Sequence, residues 1–209
     1  MLPLPPVTQA LLLLNVALFC IDFALGEVLS GYWLALWPLD SPQFMPWQVV
    51  TYAFMHGNWT HLFFNMMGLW MFGSELERIW GRNRFIQFYS VSVLTAALSQ
   101  LLIAAATGMG NPTVGASGGL FGLLLAFGMT FPDRMIMPLI PPIPMKAKYF
   151  VALYGGIELI LGVTGTQMGV AHFAHLGGML GGWLMIRYWR GQAPFGSGRG
   201  GRGGPRGRL

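Results

Sequence analysis

The segment FIQFYSVSVLTAALSQLLIAAATGMGNPTVGASGGLFGLLLAFGMTFP, residues 85–132, contains no Asp, Glu, Lys or Arg. Of the 209 residues in the chain, 54% are apolar and only 9% are charged, whereas soluble domains carry about 25% charged residues. A soluble fold of this size cannot cover so much apolar surface with so few charges. The composition therefore excludes an ordinary cytosolic enzyme, a disordered protein and a disulfide-stapled secreted domain. It predicts an all-α, integral multi-pass membrane protein.

Six apolar stretches can be placed along the chain. They cover about 8–25, 59–73, 85–106, 117–131, 149–163 and 170–186. Several are shorter than the ~20 residues that cross a full hydrocarbon core, which indicates a thinned bilayer or helix ends buried in protein. The single cysteine, Cys20, lies in the first stretch and is predicted to be a buried packing residue.

The basic residues support a count of six transmembrane helices. Three Lys or Arg lie between the second and third stretches, three between the fourth and fifth, and six after the sixth, which accounts for all 12. Because positive charge is retained on the cytoplasmic side, both termini are predicted to be cytoplasmic. The sequence thus predicts a six-span membrane domain over residues 1–190.

Two segments do not fit a membrane span. The connection from Gly26 to Asn58 is rich in Trp and Pro, so we expect a loop partly embedded in the outer leaflet. Residues 191–209 are a Gly/Arg-rich cytoplasmic tail that cannot build a core and is predicted to be disordered. We expect this basic tail to bind anionic lipid. Weak RNA binding stays an open alternative, but no aromatic ladder supports a specific nucleic acid partner.

Strongly polar groups at membrane depth are costly and mark function. His61 and Asn65 are four residues apart and share one helix face, where both can donate hydrogen bonds. Ser117 lies in GASGG, residues 115–119, and its small neighbours leave the hydroxyl accessible. Each feature alone also has a structural explanation, as an interhelical hydrogen bond or a small-residue packing seam.

The sixth stretch carries two histidines and a stripe of glycines. His175 precedes Gly177 with Gly181 and Gly178 with Gly182, spacings that let a helix approach a neighbour closely. If that neighbour is the fourth span, Nε2 of His175 can reach Oγ of Ser117. A histidine at the outer water interface is the structural alternative, and it suits His172 better.

A depth estimate joins three of these sites. Asn65, Ser117 and His175 lie 13, 15 and 12 residues from the cytoplasmic ends of spans two, four and six. The ends are taken at Arg78, Pro132 and Arg187. At about 1.5 Å per residue the three groups are roughly 20, 22 and 18 Å above that edge, in the outer half of the membrane. Their coincidence at one depth favours a functional site.

These residue types together permit acyl transfer. A serine needs an adjacent base to become a nucleophile, and histidine can take and return the proton at neutral pH. His61, Asn65 and the backbone N–H of Ser117 are candidate donors to an oxyanion. The sequence shows no carboxylate at this depth to orient His175, so a Ser–His dyad is predicted, in a cavity open to outside water.

The other ionisable groups are predicted to be structural. Glu77 and Arg82 are expected to form an ion-pair and cap network, and Glu158 is a lone acid in an apolar stretch, with a gate element as the alternative. The four histidines lack neighbouring Cys, Asp or Glu, so neither a metal site nor a cofactor is predicted.

Four motifs, in this order along the chain, resemble those of the rhomboid intramembrane serine proteases. They are HGNWTHLFFNM (56–66), ELERIWGRNRF (75–85), GASGGLFG (115–122) and AHFAHLGGMLGG (171–182). Each motif is weak alone, but the combination is highly specific and the resemblance covers about residues 8–190. It implies a six-span bundle with a membrane-embedded outer loop after the first helix.

The resemblance also implies roles for single residues. Ser117 is then the nucleophile and His175 the general base and acid. Asn65 and His61 form the oxyanion hole with the amide of Ser117. Supporting roles fall to His56, Gly115 and Gly118. The fifth span and the loop 164–169 resemble the family's gate and cap.

The implied substrates are single-span membrane proteins, cleaved within or near the outer leaflet. Substrate helices weakened by Gly or Pro are expected to be preferred, with lateral entry between spans two and five. The expected location is a prokaryotic cytoplasmic membrane. A rhomboid-like protein that binds clients without catalysis would lack the serine or the histidine, and both are present. A transporter would need polar residues in both halves and an internal repeat, and neither is found.

Overall fold

The structure, a computed structural model, describes residues 3–108, 111–139, 142–164 and 171–194. Within these ranges the chain forms eight α-helices, two π-helical turns, one 3-10 turn and one pair of short strands. The helices are α1 (Pro6–Ala24), α2 (Gln48–Thr51), α3 (Trp59–Gly68), α4 (Ser74–Trp80), α5 (Arg82–Thr107), α6 (Ser117–Thr130), α7 (Ala147–Thr164) and α8 (His172–Trp189). Most of the predicted tail and of the predicted cap loop lies outside the described residues.

Each of the six predicted apolar stretches is helical. The second is longer than predicted, because α3, the π-helical turn Leu69–Gly73 and α4 run end to end as far as Trp80. The chain leaves this helix at Gly81, whose φ of 77° favours glycine. By length and apolar composition, α1, α5 and α7 are the three described helices that can cross a membrane, and α6 is apolar but shorter. The count of six spans therefore stays a prediction.

Glycines bring α8 against two helices at once. A Cβ added at Gly178 would lie 1.9 Å from the carbonyl oxygen of Gly118 on α6. A Cβ added at Gly181 would lie 2.0 Å from the hydroxyl oxygen of Thr95 on α5. The predicted stripe on the sixth span therefore packs with one edge on α6 and the other on α5, and the fourth span is indeed its neighbour.

The outside of the bundle is covered with large apolar side chains. On α1 the buried residues are Thr8, Asn15, Phe19 and Asp22, which mark one narrow face toward the bundle. Cys20 lies off this face and is exposed. The prediction that Cys20 is buried is therefore wrong, because only a quarter to a third of a peripheral helix contacts its neighbours.

Hydrogen bonds hold the connection 26–58 in a defined conformation. The side-chain oxygen of the fully buried Gln48 accepts from the backbone N–H of Trp37 at 3.2 Å. Leu36 pairs with Thr113 through two backbone hydrogen bonds of 2.9 Å. This pair fastens the connection to the segment immediately before α6.

The carboxylate of Glu77 caps the first turn of α1. It accepts hydrogen bonds from the backbone N–H groups of Val7 and Thr8 and from the hydroxyl of Thr8, at 2.7–2.9 Å. Within the described residues no ion pair joins Glu77 to Arg82, so the predicted pairing is wrong. The free amides at a helix N-terminus already satisfy the carboxylate.

The connection between α6 and α7 contains a strand pair that the sequence does not predict. Met135–Ile136 pairs antiparallel with Met145–Lys146. Beside it, the exposed carboxylate of Asp133 accepts hydrogen bonds from Lys148 and Lys146, which hold the pKa of Asp133 below its usual value. The two lysines thus share one acidic partner.

We predict that Gly178→Ala destabilises the fold, by about 1–3 kcal/mol or more of unfolding free energy. The reason is that the new methyl group would meet a backbone oxygen, which cannot rotate away. Gly156→Ala on α7 is the matched control, because a Cβ there meets nothing within 4 Å. Thermal unfolding of both variants in detergent measures the effect, and equal midpoints would contradict it.

Candidate active site

Ser117 is the first residue of α6 and is half-buried. Two residues earlier, Gly115 has a φ of 132°, a conformation that strains any residue with a Cβ. Its N–H donates to the carbonyl oxygen of Tyr52 at 2.9 Å. A Cβ at Gly115 would also lie 2.8 Å from Nε2 of His61. Glycine at this position is therefore required both by the backbone and by the close imidazole.

His175 meets Ser117 although the two lie far apart along the chain. Nε2 of His175 is 2.8 Å from Oγ of Ser117, and His175 is 9% exposed. The contact arises because Gly118, in the first turn of α6, and Gly178, in the second turn of α8, bring the two helices together. The arrangement places a hydroxyl in hydrogen-bond contact with a group that can accept its proton.

One face of the His175 imidazole packs on Phe121. The two rings are nearly parallel, with an interplanar angle of 8° and a centroid distance of 4.3 Å. Phe121 lies one helical turn after Ser117 on the same helix. The same helix, α6, therefore carries both the hydroxyl of Ser117 and the ring on which His175 packs.

The two predicted oxyanion donors lie on α3, which Asn58 caps by accepting from the N–H of His61 at 2.8 Å. The imidazole of His61 and the hydroxyl of Ser117 both border Gly115. The side-chain nitrogen of Asn65 is buried and has no hydrogen-bond partner among the described residues. A buried donor without a partner is costly, and such groups are typical of sites that receive a ligand or a reaction intermediate.

His56, predicted to have a supporting role, contacts His61. It is buried, and its ring meets the ring of His61 edge to face with centroids 5.1 Å apart. His56 thus restricts where the His61 ring can lie.

The structure adds a carboxylate that the sequence does not reveal. Oε2 of Glu158, on α7, lies 2.8 Å from Nδ1 of His175 and 2.7 Å from Nδ1 of His172. The expectation that no carboxylate lies near His175 is therefore wrong. The depth estimate could have found it, because Glu158 is ten residues, or about 15 Å, from Lys148 at the predicted cytoplasmic end of its helix.

His172 is buried beside Glu158, which argues against the structural alternative of a histidine exposed at the outer water interface. The reasoning that no histidine has an acidic neighbour also fails here. The ligand atoms of Glu158, His172 and His175 lie within 4.8 Å of one another, a spacing that a cation can bridge. The same carboxylate oxygen lies 2.7 Å from Nδ1 of His172 and 2.8 Å from Nδ1 of His175, so it forms a direct ion-pair contact with both imidazoles.

Comparison with known proteins gives the chain a family. A model described as the Rhomboid domain matches residues 43–191. The chain is 29% identical over 185 residues to the Rhomboid protease GlpG of Yersinia pestis (strain Pestoides F), covering 88% of the chain and 62% of that relative. It is also 29% identical over 194 residues to the Rhomboid protease GlpG of Serratia proteamaculans (strain 568), with the same coverage.

The chain thus spans about 62% of the length of these curated relatives. Its apolar helices fit the membrane bundle that such a domain forms. Because the domain match includes well over half of its residues, the chain belongs to the rhomboid family.

Proposed function

We propose that this chain is an intramembrane serine endopeptidase that uses Ser117 as nucleophile and His175 as general base and acid. The observation that carries the proposal is the 2.8 Å contact between Oγ of Ser117 and Nε2 of His175. Family membership supports it, since the relatives named above are called proteases. The proposed location is a prokaryotic cytoplasmic membrane, crossed six times with both termini inside.

The first step follows from the contact. Nε2 of His175 takes the hydroxyl proton while Oγ of Ser117 attacks the carbonyl carbon of the scissile peptide bond. The tetrahedral intermediate collapses to an acyl-enzyme as His175 returns the proton to the leaving amine. Water then attacks the ester, His175 accepts its proton, and the serine is regenerated.

The negative oxygen of the intermediate needs fixed donors. The N–H of Ser117 is at the N-terminus of α6, where amides have no helical acceptor and the helix dipole favours negative charge. The side-chain amide of Asn65, which has no hydrogen-bond partner among the described residues, and the imidazole of His61 supply further donors from α3. Donors that need not reorganise stabilise the transition state more than water can.

The substrate class is proposed from the membrane setting and the family. A single-span helix that reaches the outer half of the membrane brings its backbone to the depth estimated for Ser117. Its peptide bonds are shielded by helical hydrogen bonds, so segments weakened by Gly or Pro should be cleaved first. Entry between α3 and α7, and binding of the basic tail to anionic lipid, complete the proposal.

We expect Ser117→Ala and His175→Ala each to lower cleavage by a factor of about 10⁴ or more, because the nucleophile and its base act as one unit. Cleavage of a reconstituted single-span protein in liposomes is the measurement. Ser90→Ala, an exposed serine on α5, is the matched control and should cleave normally. Cleavage retained by Ser117→Ala would refute the protease.

Labelling with a fluorophosphonate separates the protease from a client-binding relative. The wild type should be labelled on Ser117, whereas a folded protein that binds clients without catalysis should not react. Mass spectrometry of the labelled peptide identifies the modified serine.

We expect Asn65→Ala to lower kcat by about 10²–10³ with little change in KM, because the lost donor acts on charge that appears only in the transition state. Asn83→Ala, at the exposed start of α5, is the control. A kcat equal to that of the wild type would remove Asn65 from the oxyanion hole.

A further inference from the structure

We propose that Glu158 is a positioning residue for His175, so that the site works as a Glu–His–Ser triad rather than a dyad. The proposal rests on the proteolytic function above. It assigns a role to an acid that, in the sequence, is only a lone carboxylate in an apolar helix.

The three side chains hold the His175 ring from three directions. Oγ of Ser117 lies 2.8 Å from Nε2, and Oε2 of Glu158 lies 2.8 Å from Nδ1 on the other side of the ring. Phe121 packs on the ring face. The hydrogen bond to Ser117 and the nearby carboxylate favour one orientation of the ring, and the stacking on Phe121 restricts tilting out of its plane.

These contacts also fix where the imidazole carries its proton. To accept from the hydroxyl of Ser117, Nε2 must be unprotonated, so the proton resides on Nδ1, which faces Glu158. When the serine proton moves to Nε2, the ring becomes a cation with an N–H toward Oε2. An ionised Glu158 stabilises that cation and keeps its own charge throughout, so no proton passes to it.

His172 holds the carboxylate in place. It lies one turn before His175 on α8, and both present Nδ1 to the same oxygen of Glu158. Nε2 of His172 is buried and has no partner among the described residues, which favours the neutral form with its proton on Nδ1. An oxygen with two lone pairs can accept from both rings, and a buried carboxylate needs such partners.

The two contacts differ in quality. His172 makes a well-aligned hydrogen bond to Oε2, whereas the N–H of His175 is 2.8 Å away but out of line. Hydrogen bonds of this kind often tighten only when substrate is bound.

The test compares Glu158→Gln with Glu158→Asp in the full chain in liposomes. The Gln variant keeps the size but loses the charge, so we expect kcat to fall by about 10²–10⁴ while KM changes less than about threefold. Labelling of Ser117 by fluorophosphonate should slow in parallel. Asp restores the charge on a shorter side chain and should recover part of kcat.

Two controls accompany these variants. Glu75→Gln removes an acid at the cytoplasmic end, where it pairs with Arg134, and should leave kcat unchanged. Thermal unfolding in detergent shows whether each variant is folded.

Three results would overturn the proposal while the protease stands. One is a wild-type kcat in Glu158→Gln. Another is a loss that follows thermal stability and is not recovered by Asp, which would make Glu158 purely structural. The third is loss of wild-type activity on treatment with EDTA, which would make the cluster a metal site. A wild type that neither cleaves nor reacts with the fluorophosphonate refutes the proteolytic function itself.

Discussion

The close approach of two main chains, at Gly118 of α6 and Gly178 of α8, is the constraint on which the site depends. Because neither residue has a side chain, the first turn of α6 and the second turn of α8 meet almost backbone to backbone. Ser117 precedes the first glycine by one residue, and His175 precedes the second by one turn. A hydrogen bond of 2.8 Å tolerates little movement. Any atom added where the two glycines meet would therefore push the helices apart and displace Ser117 from His175.

Other parts of the bundle position the groups that surround Ser117 and His175. The outer connection fixes the segment before α6 through Leu36 and Thr113, and Gly115 donates to Tyr52. α3 brings His61 and Asn65, and α7 brings Glu158. Polar groups surrounded by apolar helices interact strongly because little water screens them, and the same surroundings make each unpaired group costly.

Much of this arrangement can be predicted from the sequence. A helix rises by a constant amount per residue, so counting from the predicted cytoplasmic ends at Arg78, Pro132 and Arg187 predicts a common depth for Asn65, Ser117 and His175. The direction in which a side chain points cannot be predicted in this way, because it depends on which helices pack around it. The exposed Cys20, the buried His172 and the partners of Glu77 and Glu158 belong to that class, and strands of two residues are too short to leave a pattern.

The position of Glu158 on α7 has a mechanical consequence. α7 is the least buried of the three long apolar helices: 17% of the residues in its 18-residue apolar stretch are buried, compared with 44% for α5. Ser117 and His175 lie on α6 and α8, which pack against each other, whereas Glu158 lies on α7. An outward movement of α7 would take the carboxylate of Glu158 away from the imidazole of His175. The contact between Glu158 and His175 therefore depends on how firmly α7 packs against α8.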